Sequence, residues 1–76
     1  MHPGRMGAPI VVHGLSHTGG RAVTINDEIV GLVYDDWGLI ELLRWAGLYD
    51  AEHYLEDAHW IEWRGGWPRR YRWGYS

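Results

Sequence analysis

Four arginines and three large aromatic residues crowd the end of the chain, in Arg64 and the run WPRRYRW from Trp67 to Trp73. A guanidinium pairs with phosphate or carboxylate, and an aromatic ring stacks on a base. Arg69, Arg70, Tyr71, Arg72 and Trp73 therefore have the residue types of a single-stranded nucleic-acid contact. Trp, Tyr and Arg are also the residues enriched in protein-binding hot spots. A third use is internal: the arginines pair with the chain's own acids or stack on its own indoles, and the segment closes the sheet as a last edge strand. Charge weighs against a polyanion. Residues 26–63 hold all ten acids and one arginine, Arg44, a balance of −9, whereas residues 64–76 hold four arginines and no acid, a balance of +4. The acidic body would repel a nucleic acid unless the two surfaces face apart. The expected partner is another protein or a second copy of the chain. Single-stranded nucleic acid is the alternative.

Tryptophan is in surplus. Six Trp and five Tyr share 76 residues. Each large ring covers roughly 150–250 Å² when buried, so a few fill a core of this size. Trp45, which falls beside Arg44 on the polar side of a helix, and Trp60, Trp67 and Trp73 cannot all be interior. They join Arg69, Arg70, Tyr71 and Arg72 as the expected partner-binding set.

Two further constellations have chemical potential. Glu52, Glu56 and His59 would share one face of a helix, and Glu56-x-x-His59 has the spacing of one half of a carboxylate–histidine metal motif. A second copy is needed for a two-metal site and the chain has none, so a solvated acidic face is the simpler expectation, with no cofactor. His13, Ser16 and His17 offer a hydroxyl near an imidazole. No acid lies nearby in sequence to orient the base. SHTGG (Ser16–Gly20) is too short for a phosphate loop, and the chain has no lysine to complete one. No catalytic role is expected.

The elements that must position these residues follow from periodicity. Pro9–Leu15 and Arg21–Ile25 are rich in β-branched residues and read as strands around a turn at Ser16–Gly20. Asn26-Asp27 is a two-residue connection that tolerates positive φ. Glu28–Tyr34 is a third strand, apolar on both faces, which predicts a central place in the sheet. Asp35 and Asp36 precede Leu39, Leu42, Leu43 and Ala46, the i, i+3, i+4, i+7 spacing of a helix face. The helix is expected over Trp37–Ala46, with Gly47 as its C-terminal cap. A second helix is expected from Asp50 to about Ala58 or His59, forming a helical hairpin with the first. Its continuation would put Glu62 inside the apolar stripe. A change of period at Trp60 avoids that and gives a strand with Ile61 and Trp63 on one face. Gly65-Gly66 is the strongest turn signal. Beyond it, alternation of Tyr71 and Trp73 with Arg70 and Arg72 suits a last strand that starts at or after Pro68.

The sum is one α+β domain over residues 1–76. A small antiparallel sheet, made of an N-terminal three-stranded meander and a C-terminal hairpin, packs on a short helical hairpin. Residues 1–8 form a loose arm. With no cysteine, disulfides and thiolate metal sites are excluded. A chain of this length buries only about 60% of its unfolded surface, which favours self-association. Many Arg, Gly and Trp and no Lys, Phe or Gln suggest a high-GC bacterium or its bacteriophage. No run approaches the ~20 apolar residues of a membrane span, and the N-terminus lacks a signal-peptide pattern. The expectation is a small, cytoplasmic, non-catalytic interaction protein.

Overall fold

The computed structural model describes residues 8–72. Strand β1 (Ile10–Leu15), β2 (Arg21–Ile25) and β3 (Glu28–Val33) precede helix α1 (Asp36–Trp45), a single 3-10 turn at Ala51–His53, and strand β4 (Ile61–Trp63). The sheet runs β3-β2-β1-β4. Neighbours β1, β2 and β3 are antiparallel, while β4 is parallel to β1. The fold is thus α+β, a four-stranded mixed sheet packed on one helix.

Local chemistry accounts for the first half. Asn26 and Asp27 carry φ of 50° and 71°, the left-handed pair that matches the twist of a two-residue hairpin. Asp35 caps α1, its Oδ1 accepting from the Gly38 amide at 2.7 Å. Leu39, Ile40 and Leu43 form the buried stripe. The amide of Leu48 returns to the Leu43 carbonyl at 2.9 Å and ends the helix. Gly31 lets α1 approach β3 closely: a Cβ there would lie 3.1 Å from Leu42. The core gathers Ile10, Val12, Val23 and Ile61 from the sheet, the stripe of α1, and Ala51 and Leu55 beyond it.

Three expectations are corrected. First, β3 is an edge strand, not a central one. The sheet grows on the other side, where β4 pairs with β1, and α1 covers only one face. Ile29, Val30 and Leu32 are accordingly exposed.

Second, the helix expected from Asp50 contracts to one turn. Asp50 makes no side-chain cap. In an α-helix the Leu55 carbonyl would accept from the amide of His59. Here it accepts from the Trp63 indole at 2.7 Å, and the His59 amide donates to Asp57 Oδ1 at 3.0 Å. A side chain has replaced each partner, the competition that makes Asp a poor residue inside helices. The strand at Ile61 does form. Its Ile61 is buried and its Trp63 packs against the core.

Third, the chain turns at Gly65-Gly66 as expected, but no ladder follows among the described residues. Trp67–Arg72 folds as irregular turns, with Arg69 at a φ of 68° and its neighbour Arg70 donating to the Trp67 carbonyl. The two-strand C-terminal hairpin is replaced by β4 and a turned segment. Residues 73–76 lie outside the described part.

Candidate interaction surface

The turned segment has no sheet to hold it, and one buried side chain takes the sheet's place. Arg21 opens β2 on the same face as Val23, so its side chain enters the core. It is wholly buried. Nε donates to the Arg70 carbonyl at 2.6 Å, Nη2 to Trp67 at 2.9 Å, and Nη1 to Arg64 at 2.9 Å and His13 at 3.1 Å. The bulge between Val12 and Leu15 interrupts the β1–β2 ladder around His13 and Gly14, where that last carbonyl lies. The guanidinium also sits 5.4 Å over the Trp63 ring. Among the described residues no carboxylate pairs with it. Burial lowers its pKa, but a guanidinium stays charged in proteins, so a cation is held by carbonyl dipoles and one π face. Hydrogen bonds to a charged group contribute about 1.5–3 kcal/mol each. Several of them offset a desolvation cost of several kcal/mol.

A second set of contacts ties the segment to α1. The Tyr71 hydroxyl donates to Asp36 Oδ1 at 2.8 Å. The phenol is buried and meets Trp63 edge-on, with ring centroids 6.0 Å apart. Desolvation, and the phenol's donation to Asp36, push its pKa well above the usual tyrosine range. Arg69 Nε donates to Asp36 Oδ2 at 2.8 Å and Nη1 to Glu56 Oε2 at 3.0 Å. Both carboxylates raise the Arg69 pKa. The Gly20 amide reaches the Tyr71 carbonyl at 2.8 Å. Gly20 is required there: its φ is 84°, and a Cβ would lie 2.6 Å from the Tyr34 ring.

These contacts shape a cleft of about 720 Å³ between the β1–β2 turn and the segment. Thr18, Gly19 and Gly20 line one side, Tyr34 and Asp35 another, and Trp67 to Arg72 the third. Tyr34 and Trp67 are exposed, Trp67 at 72%. Of the expected partner-binding residues, Trp67, Arg69, Arg70, Tyr71 and Arg72 therefore meet at one place. They do not act alike. Tyr71 is core, and Arg69 spends its guanidinium on Asp36 and Glu56. Trp67, Arg70 and Arg72 are exposed. Trp45 is not part of this group. It is 88% exposed at the far end of α1, about 14 Å along the axis from Asp36 at 1.5 Å per residue. Trp60 rests on the Tyr54 ring, with centroids 5.1 Å apart. Trp73 is outside the described residues.

The metal alternative loses its geometry with the helix. Glu56 pairs with Arg69, and His59 is 3.5 Å from Asp57 with its side chain 95% exposed. Among the described residues no group of three or more His, Cys, Asp or Glu could hold a metal ion. At the β1–β2 turn, the Ser16 hydroxyl donates to the Gly19 carbonyl, and His13 Nε2 bonds Thr24 Oγ1 at 3.0 Å, so the two do not pair. Among the described residues no helix is long and apolar enough to cross a membrane.

Arg21 was missed as a site-forming residue. The signal was its alternation with Val23 and Ile25, which puts a cation on the core face of a strand. Trp37, 70% exposed on α1, lies outside the residues that line the cleft. It precedes Glu41 and Trp45 at i, i+4, i+8 along the outer side of the helix. No protein-family model, curated protein or solved structure matches the chain.

Proposed function

We propose that the protein is a small interaction module that binds another protein through the cleft beside Trp67. One observation carries this reading. An irregular segment bearing an exposed indole and three exposed arginines, of which Arg69 pairs with Asp36 and Glu56, is fixed by Arg21 through two of its carbonyls. Loops held on a rigid scaffold are where binding residues concentrate, and a loop already in place loses little entropy on docking. Nothing in the packing of the core requires Trp67 to be a tryptophan. Tyr34 and Arg72 extend the same surface, giving the Trp, Tyr and Arg mixture of a hot spot.

The test compares tagged wild-type chain with a Trp67→Ala/Arg72→Ala variant in capture from source-cell extract, with the melting temperature of both recorded. A partner retained by wild type at elevated salt, and lost by a fully folded variant, supports the reading. Equal capture by both overturns it. Tight binding of a single-stranded oligonucleotide that collapses with added salt, as phosphate contacts do, would move the function to nucleic acid.

A further inference from the structure

Trp67 and Pro68 form a ridge, because a second cleft of about 720 Å³ opens on their other side. Its chemistry is opposite to that of the first. It is lined by the indoles of Trp63 and Trp67, by Ala8, Ala58 and Ile61, and by the carboxylates of Glu56 and Glu62. Among the described residues no cationic side chain lines it. The Trp63 ring is held on three sides: by Arg21 at 5.4 Å, by the edge of Tyr71, and by its own N–H bond to Leu55. The backbone of Trp67 is fixed by Arg21 Nη2. The two carboxylates are paired at one oxygen each, Glu56 Oε2 with Arg69 and Glu62 Oε2 with Arg64. A carboxylate has about four acceptor positions over two oxygens, so both can receive a further donor. Both of these ion pairs are solvent-exposed, and such pairs rearrange at little cost.

Indole faces attract cations, and best in a partly desolvated cleft. Carboxylates at the rim add direction and charge. We propose that this second cleft receives the lysine or arginine side chain of a polypeptide partner that lies across the Trp67–Pro68 ridge. The inference rests on the interaction reading above and names the partner's chemistry: a basic residue for the cleft with Glu56 and Glu62, on a segment whose other end meets Arg70 and Arg72. Charge complementarity on the two sides of one ridge then fixes the direction in which that segment runs.

The experiment titrates the full chain with acetyl-Gly-Arg-Gly-amide and observes the tryptophan indole N–H signals by NMR. The citrulline peptide, equal in shape but uncharged, is the control. The arginine peptide is expected to move the Trp63 and Trp67 signals at low-millimolar concentration and leave Trp45 still. The citrulline peptide should bind about tenfold more weakly, the factor that an exposed ion pair and a cation–π contact give together. A Glu56→Gln/Glu62→Gln variant should show a similar loss with its melting temperature nearly unchanged. Equal binding of the two peptides to wild type, or no movement of either indole, overturns the inference whether or not the variant folds. Peptide binding without any Trp67-dependent capture from extract would keep the cation site and sink the interaction function. Capture without peptide binding would do the reverse.

Discussion

The sheet with α1 and the segment after β4 are held by different forces. In the first, Val12, Val23, Leu39 and Leu43 are fully buried, and the contacts among them are apolar and non-directional. In the second, Trp67–Arg72 buries only Tyr71, and its position is set by the carbonyls that Arg21 grips and by the carboxylates that receive Arg69 and Tyr71. Burial tolerates salt and pH, whereas directional polar bonds fail one group at a time. The difference also explains why Trp67 and Arg72 face outward: Arg21 anchors the segment through its main chain, so these two side chains are not needed to hold it in place.

The largest effect should come from Arg21→Met. It removes the Arg21 donors of four carbonyls, of which that of Trp67 keeps the Arg70 amide, and each buried acceptor left unsatisfied costs about 1–3 kcal/mol. The check is a melt of the variant together with limited proteolysis, where cleavage within residues 64–72 should rise before the sheet is attacked. Leu43→Ala comes next, at about 2–5 kcal/mol as for other buried leucines. Its loss should be one cooperative transition, with no separate release of the segment. A loss under about 0.5 kcal/mol, the range of ordinary surface changes, would contradict the placement of α1.

Tyr71→Phe is expected to cost about 1.5–3 kcal/mol, the value of a hydrogen bond to a charged acceptor. Its pH signature is sharper than its size. The folded-state pKa of Tyr71 is raised, so its contribution is complete below the unfolded tyrosine value of about 10 and is lost as pH rises beyond it. Wild type should therefore lose stability in alkali more steeply than Tyr71→Phe. Parallel alkaline melting curves would show that the phenol is not held by Asp36. Smallest is Arg69→Gln. Its pair with Glu56 is exposed and its pair with Asp36 is half-exposed, and exposed pairs contribute about 0–1 kcal/mol each. The difference from wild type should shrink further with added salt, as measured by urea melts at two ionic strengths.

Local patterns carried much of this architecture. Three strands, the Asn26-Asp27 hairpin, α1 with its Asp35 cap, and the change of period before Ile61 all follow from alternation, helical spacing and turn chemistry. What escaped depends on contacts distant in sequence. Nothing near Ile61 says that it will lie parallel to Ile10, and that pairing is what moves β3 to the edge. The expected second helix is cut to one turn, and beyond it the Leu55 carbonyl goes to the indole of Trp63, eight residues on. Alternating Tyr71 and Arg72 look like a strand, yet the Tyr71 carbonyl accepts from the Gly20 amide and the Arg70 carbonyl from the Arg21 side chain, both some fifty positions earlier. The cleft's residue types were legible from WPRRYR. Which of them face outward was not, because Asp36 and Glu56 had to fold into reach before Arg69 and Tyr71 could turn inward.

The sharpest discrimination comes from the arginine side chains themselves, observed by nitrogen-15 NMR on the intact chain. Of seven arginines, Arg21 should show an Nε–H that exchanges slowly with water and Nη groups whose rotation is frozen by their carbonyl partners. Tyr71 and Trp67 should then be rigid on the same timescale. If the Arg21 guanidinium instead exchanges and rotates as freely as Arg72, it does not hold the segment, and neither cleft beside Trp67 is a formed surface.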